Sequence, residues 1–189
     1  MGAHSHDRLI SLSEPFPGVH LLARRPIADA RGAFTRLFCR QRLAQLKIDA
    51  HVEQVNFSQS TFAGTWRGFH YQTGSSAETK IVSCVTGRIF DVVLDLRPGS
   101  PNHGETIGFE LTAETMQAVV VPKGCAHGFL TLEPNCSVLY FVSAAYDPLL
   151  ERGVRFDDPS IQVRWPQLPA VISERDRNHP DLDLARALH

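Results

Sequence analysis

The side chains best suited to chemistry concentrate in one stretch, Thr65-Trp66-Arg67-Gly68-Phe69-His70-Tyr71-Gln72, and in the Lys80 that follows it. An arginine, a histidine, a tyrosine and a glutamine sit there within six positions. Imidazole changes charge near neutral pH, so a histidine in such company suits proton transfer. The stretch is rich in aromatics and poor in helix formers, which reads as a strand. Strict alternation puts Trp66, Gly68, His70 and Gln72 on one face, with Gly68 leaving room for a molecule beside the imidazole. Taken alone, a histidine in a strand is more often half-buried and satisfied by a neighbour than catalytic.

A second cluster is Pro122-Lys123-Gly124-Cys125-Ala126-His127, which fits the P-x-G-x-x-H motif of the cupin barrels. In a metal-binding cupin the first motif supplies H-x-H and a glutamate downstream. Here His70 is followed two positions later by Gln72, so one ligand is missing, while Glu78 stands near the expected glutamate. A metal held by His70, Glu78 and His127 is therefore the first alternative reading.

These groups need a scaffold, and composition bounds it. The chain has 189 residues, 43% of them hydrophobic, and a formal net charge of -1, so a globular body with a sizeable core is expected. That charge points to no nucleic-acid or membrane partner, and an anionic ligand would be held by a few local cations. Met1 to Leu12 lacks the apolar run of a leader, and no stretch approaches a membrane span. Cys39, Cys84, Cys125 and Cys136 are widely spaced, which favours free thiols and a cytoplasmic location.

Taken in order, residues 15–38 read as a short strand, a turn at Arg31-Gly32 and a second strand through Phe38. Residues 39–48 form the one convincing helix, with Leu43, Leu46 and Ile48 on its apolar side. Short strands follow to about residue 165. In Val52 to Ser58, alternation puts Gln54, Asn56 and Ser58 on one face and Val55 and Phe57 on the other, and the polar face is expected to meet solvent. Lys80–Val85 and Ile89–Arg97 suggest a hairpin across Thr86-Gly87-Arg88, with Phe90, Val92, Leu94 and Leu96 as its apolar face. Thr106–Leu111, Ala118–Val121, Leu130–Leu132 and Ser137–Ser143 are further strands. Ser173 is placed to cap a helix at Glu174-Arg175-Asp176. Many short strands with regularly spaced turns predict an all-β sandwich or barrel.

Set side by side, the motifs run Arg31-Gly32-x-Phe34, Gln54-x-Asn56-x-Ser58, Arg67 to Gln72, Lys80, Asp91 to Arg97, Ser100-Pro101, Pro122 to Phe129, Tyr140, Tyr146 and Ser173-x-x-Asp176. This succession resembles the dTDP-4-dehydrorhamnose 3,5-epimerase family over about residues 16–182. Leu139 to Ser143 with Tyr146-Asp147-Pro148 looks more like members serving antibiotic deoxysugar pathways. The resemblance implies a cupin-type jelly roll with a few short peripheral helices, one domain over 1–189, and a homodimer. In that picture the strands of about 16–38 are exchanged or packed at the dimer interface, and 148–189 form a C-terminal extension. It also implies epimerisation of a nucleotide-diphosphate sugar, a 4-keto-6-deoxy sugar, at C3, C5 or both, with no cofactor and no metal.

By the same resemblance, His70 is the base, Asp176 orients and charges it, Tyr140 is the acid on the opposite face, and Lys80 lies near the ketone. Arg67, Gln54, Asn56, His127 and Tyr146 line the sugar and diphosphate site, and Arg31 and Phe34 reach the nucleotide from the partner subunit. Two positions depart from the family pattern: Arg36 and Glu78 stand where a glutamate and a glutamine are usual. A non-catalytic sugar-nucleotide binding protein on the same fold is the second alternative.

Overall fold

The structure, a computed structural model, describes residues 8–49 and 51–188; of the Met1–Leu12 stretch read for a leader, residues 1–7 lie outside them. The chain opens with strands β1 (Leu9–Phe16), β2 (Val19–Arg24), β3 (Ile27–Asp29) and β4 (Gly32–Phe34), then helix α1 (Arg40–Gln45). Strands β5 (Gln54–Ser60), β6 (Thr65–Gln72), β7 (Lys80–Thr86), β8 (Arg88–Asp95) and β9 (Thr106–Thr112) follow. Next come β10 (Ala118–Val121), β11 (Cys125–Thr131), β12 (Cys136–Val142), β13 (Glu151–Gly153), β14 (Val171–Ile172) and helix α2 (Glu174–Arg177). Two six-stranded sheets face each other: one runs β1-β2-β10-β7-β12-β5, the other β13-β6-β11-β8-β9 with β14 beside β6. This is the cupin-type jelly roll that the sequence leads one to expect, with two short helices at its periphery.

Three apolar layers hold it together. Between the sheets lie Val19, Val82, Ile89, Val93, Leu111, Val119 and Val138, all shut off from solvent. The outer face of the second sheet, with Trp66, Phe69, Val92, Leu94 and Leu96, is covered by Val154, Ile161, Trp165 and Leu184 of the C-terminal segment. The outer face of the first sheet, with Leu22, Ile81 and Val120, is covered by Leu43 and Leu46 around α1. The expected apolar face of Phe90, Val92, Leu94 and Leu96 is therefore real, while Ile89 and Val93, of the opposite parity, fill the interior.

Several expectations are corrected. The strands on either side of Gly87 do not form a hairpin: β7 pairs with β10 and β12, β8 with β9 and β11. Gly87, at φ +77, instead carries the chain from one sheet to the other, close against Cys136 Sγ. Both strands bury both faces, so each needs neighbours in its own sheet. The N-terminal β1–β2 hairpin was not anticipated, and β4 ends at Phe34 rather than Phe38. Helix α1 covers only Arg40–Gln45, ending where Lys47 takes a positive φ of 59.

Trp66 does not share a face with His70. The β6–β11 pairing slips between His70↔His127 and Arg67↔Phe129, so Gly68 and Phe69 together oppose Gly128. This bulge reverses the alternation: Trp66, Phe69 and Tyr71 point out into the covered layer, and His70 and Gln72 point inward with Arg67. Gly68 serves packing, not ligand access. A Cβ there would lie 2.5 Å from Gly128 Cα, on a backbone with φ +143.

Candidate active site

His70 enters from β6 with its side chain 30% exposed, and its Nε2 lies 2.8 Å from Asp176 Oδ1. The local sequence explains why Asp176 is there. Ser173 caps α2 by accepting from the Asp176 N–H at 3.1 Å, and β14 just before it pairs with β6. The cap and the strand together aim Asp176 back at β6, where its Oδ2 accepts the Gly68 N–H at 3.3 Å. Burial alone would raise the Asp176 carboxyl, but the hydrogen bond from His70, its charge and the Gly68 amide hold it below the usual value. A carboxylate only accepts, so Nε2 carries the imidazole proton and Nδ1 keeps a free lone pair.

Tyr140 comes from β12, in the other sheet, on the face where Val138 packs into the interior and Val142 lines the first cavity. Burial, then the negative charge of Glu78, raises its phenol above the ordinary value despite Arg67. The hydroxyl therefore holds its proton at neutral pH. His70 and Tyr140 together line two adjoining cavities of about 170 and about 490 Å³. Gln54, Asn56, Gln72, Glu78, Lys80, Tyr146 and Glu151 surround the first; Arg67, Ser58, Arg175 and Asp176 the second. The polar face of β5 thus lines the site instead of meeting bulk solvent, while Val55 and Phe57 on its other face are exposed. A larger groove of about 980 Å³ under Trp165 lies on the outside and has neither His70 nor Tyr140 in its wall.

Lys80 is buried, and its Nζ donates to His70 O at 3.2 Å and pairs with Glu78 Oε1 at 3.2 Å. Glu78 also accepts from Gln72 Nε2 at 2.9 Å. Its departure from the family pattern therefore places a carboxylate on the site's lysine. Arg67 is steadied by Ser60 Oγ at 3.0 Å and Gln59 O at 2.9 Å. Gln54 Oε1 accepts the Tyr146 N–H at 2.9 Å, and the Tyr146 hydroxyl donates to Glu151 Oε2 at 2.6 Å.

Three of the expected residues are not brought into these cavities. His127 is buried one strand away with its Nε2 2.7 Å from Asp91 Oδ2, and it lines neither cavity. Arg31 and Phe34 sit on the exposed β3–β4 ribbon, where the Arg31 guanidinium pairs with Asp29 at 2.6 Å and Phe34 is 61% exposed. Their shallow pocket shares no residue with the site of the same chain. Arg36 is exposed as well.

The metal set of His70, Glu78 and His127 is not assembled, because Glu78 is engaged by Lys80 and Gln72 and His127 by Asp91. Among the described residues, the one group of three ligating side chains with atoms within 4.8 Å of one another is His70, Asp176 and His179. Sequence reasoning missed His179, and also Glu151 and Arg175, which pair with each other at the mouth of the site. Arg175 adjoins Asp176 and so was within reach; Glu151 and His179 carry no local signal. Burial, then the charge of His70, lowers the His179 imidazole below its ordinary value.

The family model described as dTDP-4-dehydrorhamnose 3,5-epimerase matches residues 13–183. The dTDP-4-dehydrorhamnose 3,5-epimerase of Sinorhizobium fredii is 37% identical over 183 residues, 96% of this chain and 94% of the relative. Among solved structures, dTDP-4-dehydrorhamnose 3,5-epimerase from Bacillus anthracis, with TDP and PPi bound, superposes with a TM-score of 0.89 at 36% identity. That match covers 92% of this chain and 99% of the other. The 4-keto-6-deoxy sugar epimerase from the novobiocin gene cluster of Streptomyces spheroides superposes at 0.87 with 32% identity, over 99% and 91% of the two chains.

Proposed function

Because the chain belongs to the dTDP-4-dehydrorhamnose 3,5-epimerase family, we infer that the paired cavities hold one sugar nucleotide between His70 and Tyr140. The protein is an epimerase of nucleotide-linked 4-keto-6-deoxy sugars, in deoxysugar biosynthesis. The observation that carries the residue roles is the His70–Asp176 hydrogen bond at 2.8 Å, with Tyr140 reaching the same space from the opposite sheet. In such a sugar both C3–H and C5–H adjoin the ketone, so loss of either proton gives an enolate. Nδ1 of His70 takes that proton, and the ionised Asp176 stabilises the imidazolium that results. Lys80, whose side chain is itself largely buried, supplies a cation for the enolate oxygen. Tyr140, which keeps its proton until a strong base appears, returns one to the other face of the carbon and inverts it. Arg67 and Arg175 provide cations for the diphosphate.

The test is NMR of a dTDP-linked 4-keto-6-deoxy sugar in deuterated water, using protein stripped with a chelator. Deuterium should enter C3, C5 or both, with inversion. Binding without exchange would favour the non-catalytic reading. Loss of turnover on removal of a stoichiometric metal would overturn the proton-transfer scheme.

The assembly follows from the ribbon. With Ile27 46% and Phe34 61% exposed and only three residues per strand, β3–β4 has no core of its own. A second copy of the chain completes it, and Arg31 and Phe34 then serve the nucleotide in the partner's site. Arg31→Ala should raise KM roughly 10- to 100-fold, the cost of a hydrogen bond to a charged group. Mixed dimers of Arg31→Ala and His70→Ala chains should regain low-KM activity, since each then has one site free of both changes. No recovery, or a monomer in solution, would reject this assignment.

A further inference from the structure

The reaction leaves one half-buried group beside the dyad unused, and that group is His179. Its Nε2 is buried without a hydrogen-bond partner among the described residues. Its ring stands 6.4 Å from that of His70, at 74° to it. Gly153 makes this placement possible, because a Cβ there would run into the His179 ring. With Asp176, only 5% exposed, the two histidines form a cluster in which one ligand atom from each lies within 4.8 Å of the others. Two imidazoles and one carboxylate are the donor set of three-residue zinc sites that keep a fourth position open. Two of the three, His70 and Asp176, also line the second cavity, which gives an ion a way in. Ligand atoms about 3–3.5 Å apart are needed around a tetrahedral ion with bonds near 2 Å. The cluster therefore closes with ångström-scale side-chain adjustment, without refolding of β6 or α2.

We propose that His70, Asp176 and His179 form an inhibitory site for a divalent transition-metal ion of the zinc class. The ion takes the place of the proton that now joins His70 Nε2 to Asp176. A neutral imidazole ligated through Nε2 carries its proton on Nδ1, which is the atom the reaction needs bare. Binding therefore moves the proton from one ring nitrogen to the other, with no redox change and no bond to carbon. The same event removes the base and takes up the carboxylate that supports it. The ion is thus an off-switch, opposite in sense to the cofactor of a metal-dependent cupin.

Cobalt(II) is the probe, because its visible absorption reports four-coordinate geometry independently of any turnover. Chelator-stripped wild-type protein should bind one Co²⁺ per chain with the bands of a four-coordinate site, and Zn²⁺ should displace it. His179→Ala should lose that spectrum, with affinity lower by about 100-fold or more, since even outer-shell losses reach 10- to 100-fold. In metal-free buffer His179→Ala should epimerise at the wild-type rate, and Zn²⁺ concentrations that silence the wild type should leave it active. His179→Gln, closer in shape, serves as a second variant if alanine opens a hole beside Gly153. Unchanged Co²⁺ bands or unchanged Zn²⁺ inhibition in both variants would overturn the proposal, as would wild-type protein that takes up no Co²⁺. The spectral arm does not depend on the substrate, so it stands or falls separately from the epimerase scheme.

Discussion

His70→Ala abolishes both turnover and the entry of solvent deuterium into the sugar; that is the largest single effect expected in this protein. The reason is positional. His70 carries the effect of the buried Asp176 carboxylate into the space shared by the two cavities, and alanine removes the ring that this carboxylate charges. A positioned acid or base contributes about 10²- to 10⁴-fold, and here the lost group starts the reaction. Asp176→Asn should fall between this variant and the wild type. Its amide can still hold the ring, but it no longer stabilises an imidazolium, and it can present an N–H to Nε2 that favours the wrong tautomer. The measurement is proton NMR in deuterated water with a dTDP-linked 4-keto-6-deoxy sugar. Wild-type exchange by His70→Ala would show that another group is the base.

Tyr140→Phe separates the two halves of the reaction. The ring and its packing against the interior layer remain, and only the hydroxyl is lost. His70 can still take a proton and return one to the face it came from. Deuterium should therefore enter C3 or C5 at a substantial rate while inversion falls by roughly 10²- to 10⁴-fold. The same spectra read both quantities, one as loss of proton signal and the other as appearance of the epimer. Because the Tyr140 phenol is raised by burial and by Glu78, its ionisation belongs on the alkaline side of its ordinary value. No loss of inversion from tyrosine ionisation is expected near neutral pH. Inversion at the normal rate by the phenylalanine variant would assign the acid to a different residue.

Much of this was legible before any coordinates. Short strand-like runs with regularly spaced turns indicated an all-β sandwich or barrel, because each run is too short for a helix and too apolar to lie on a surface. Ser173 announced the α2 cap, since a serine three residues before Asp176 has the right reach to its amide. The parity of Val138, Tyr140 and Val142 pointed Tyr140 inward, and the structure agrees because β12 runs without a bulge from Val138 to Val142. The order of motifs pointed to the family.

What the sequence could not determine were the properties that depend on which strand lies beside which. Alternation tells which residues share a face only while the pairing keeps register, and the bulge at Gly68-Phe69 reverses the faces of β6 halfway along. Trp66 was therefore assigned to the wrong side. The Gly87 turn has the composition of a hairpin, yet the interior is completed only if β7 and β8 join opposite sheets. Gln54, Asn56 and Ser58 read as a solvent face because a polar stripe is the same whether it meets water or a wet cavity. Glu151 meets Arg175 from a separate segment of the chain, His179 meets His70 across more than a hundred residues, and Glu78 meets Gln72 only once the turn after β6 closes. Local sequence specifies strands, caps and the types of group available; long-range pairing decides which of those groups meet, because contact between distant residues is a property of the packed sheets and not of any segment alone.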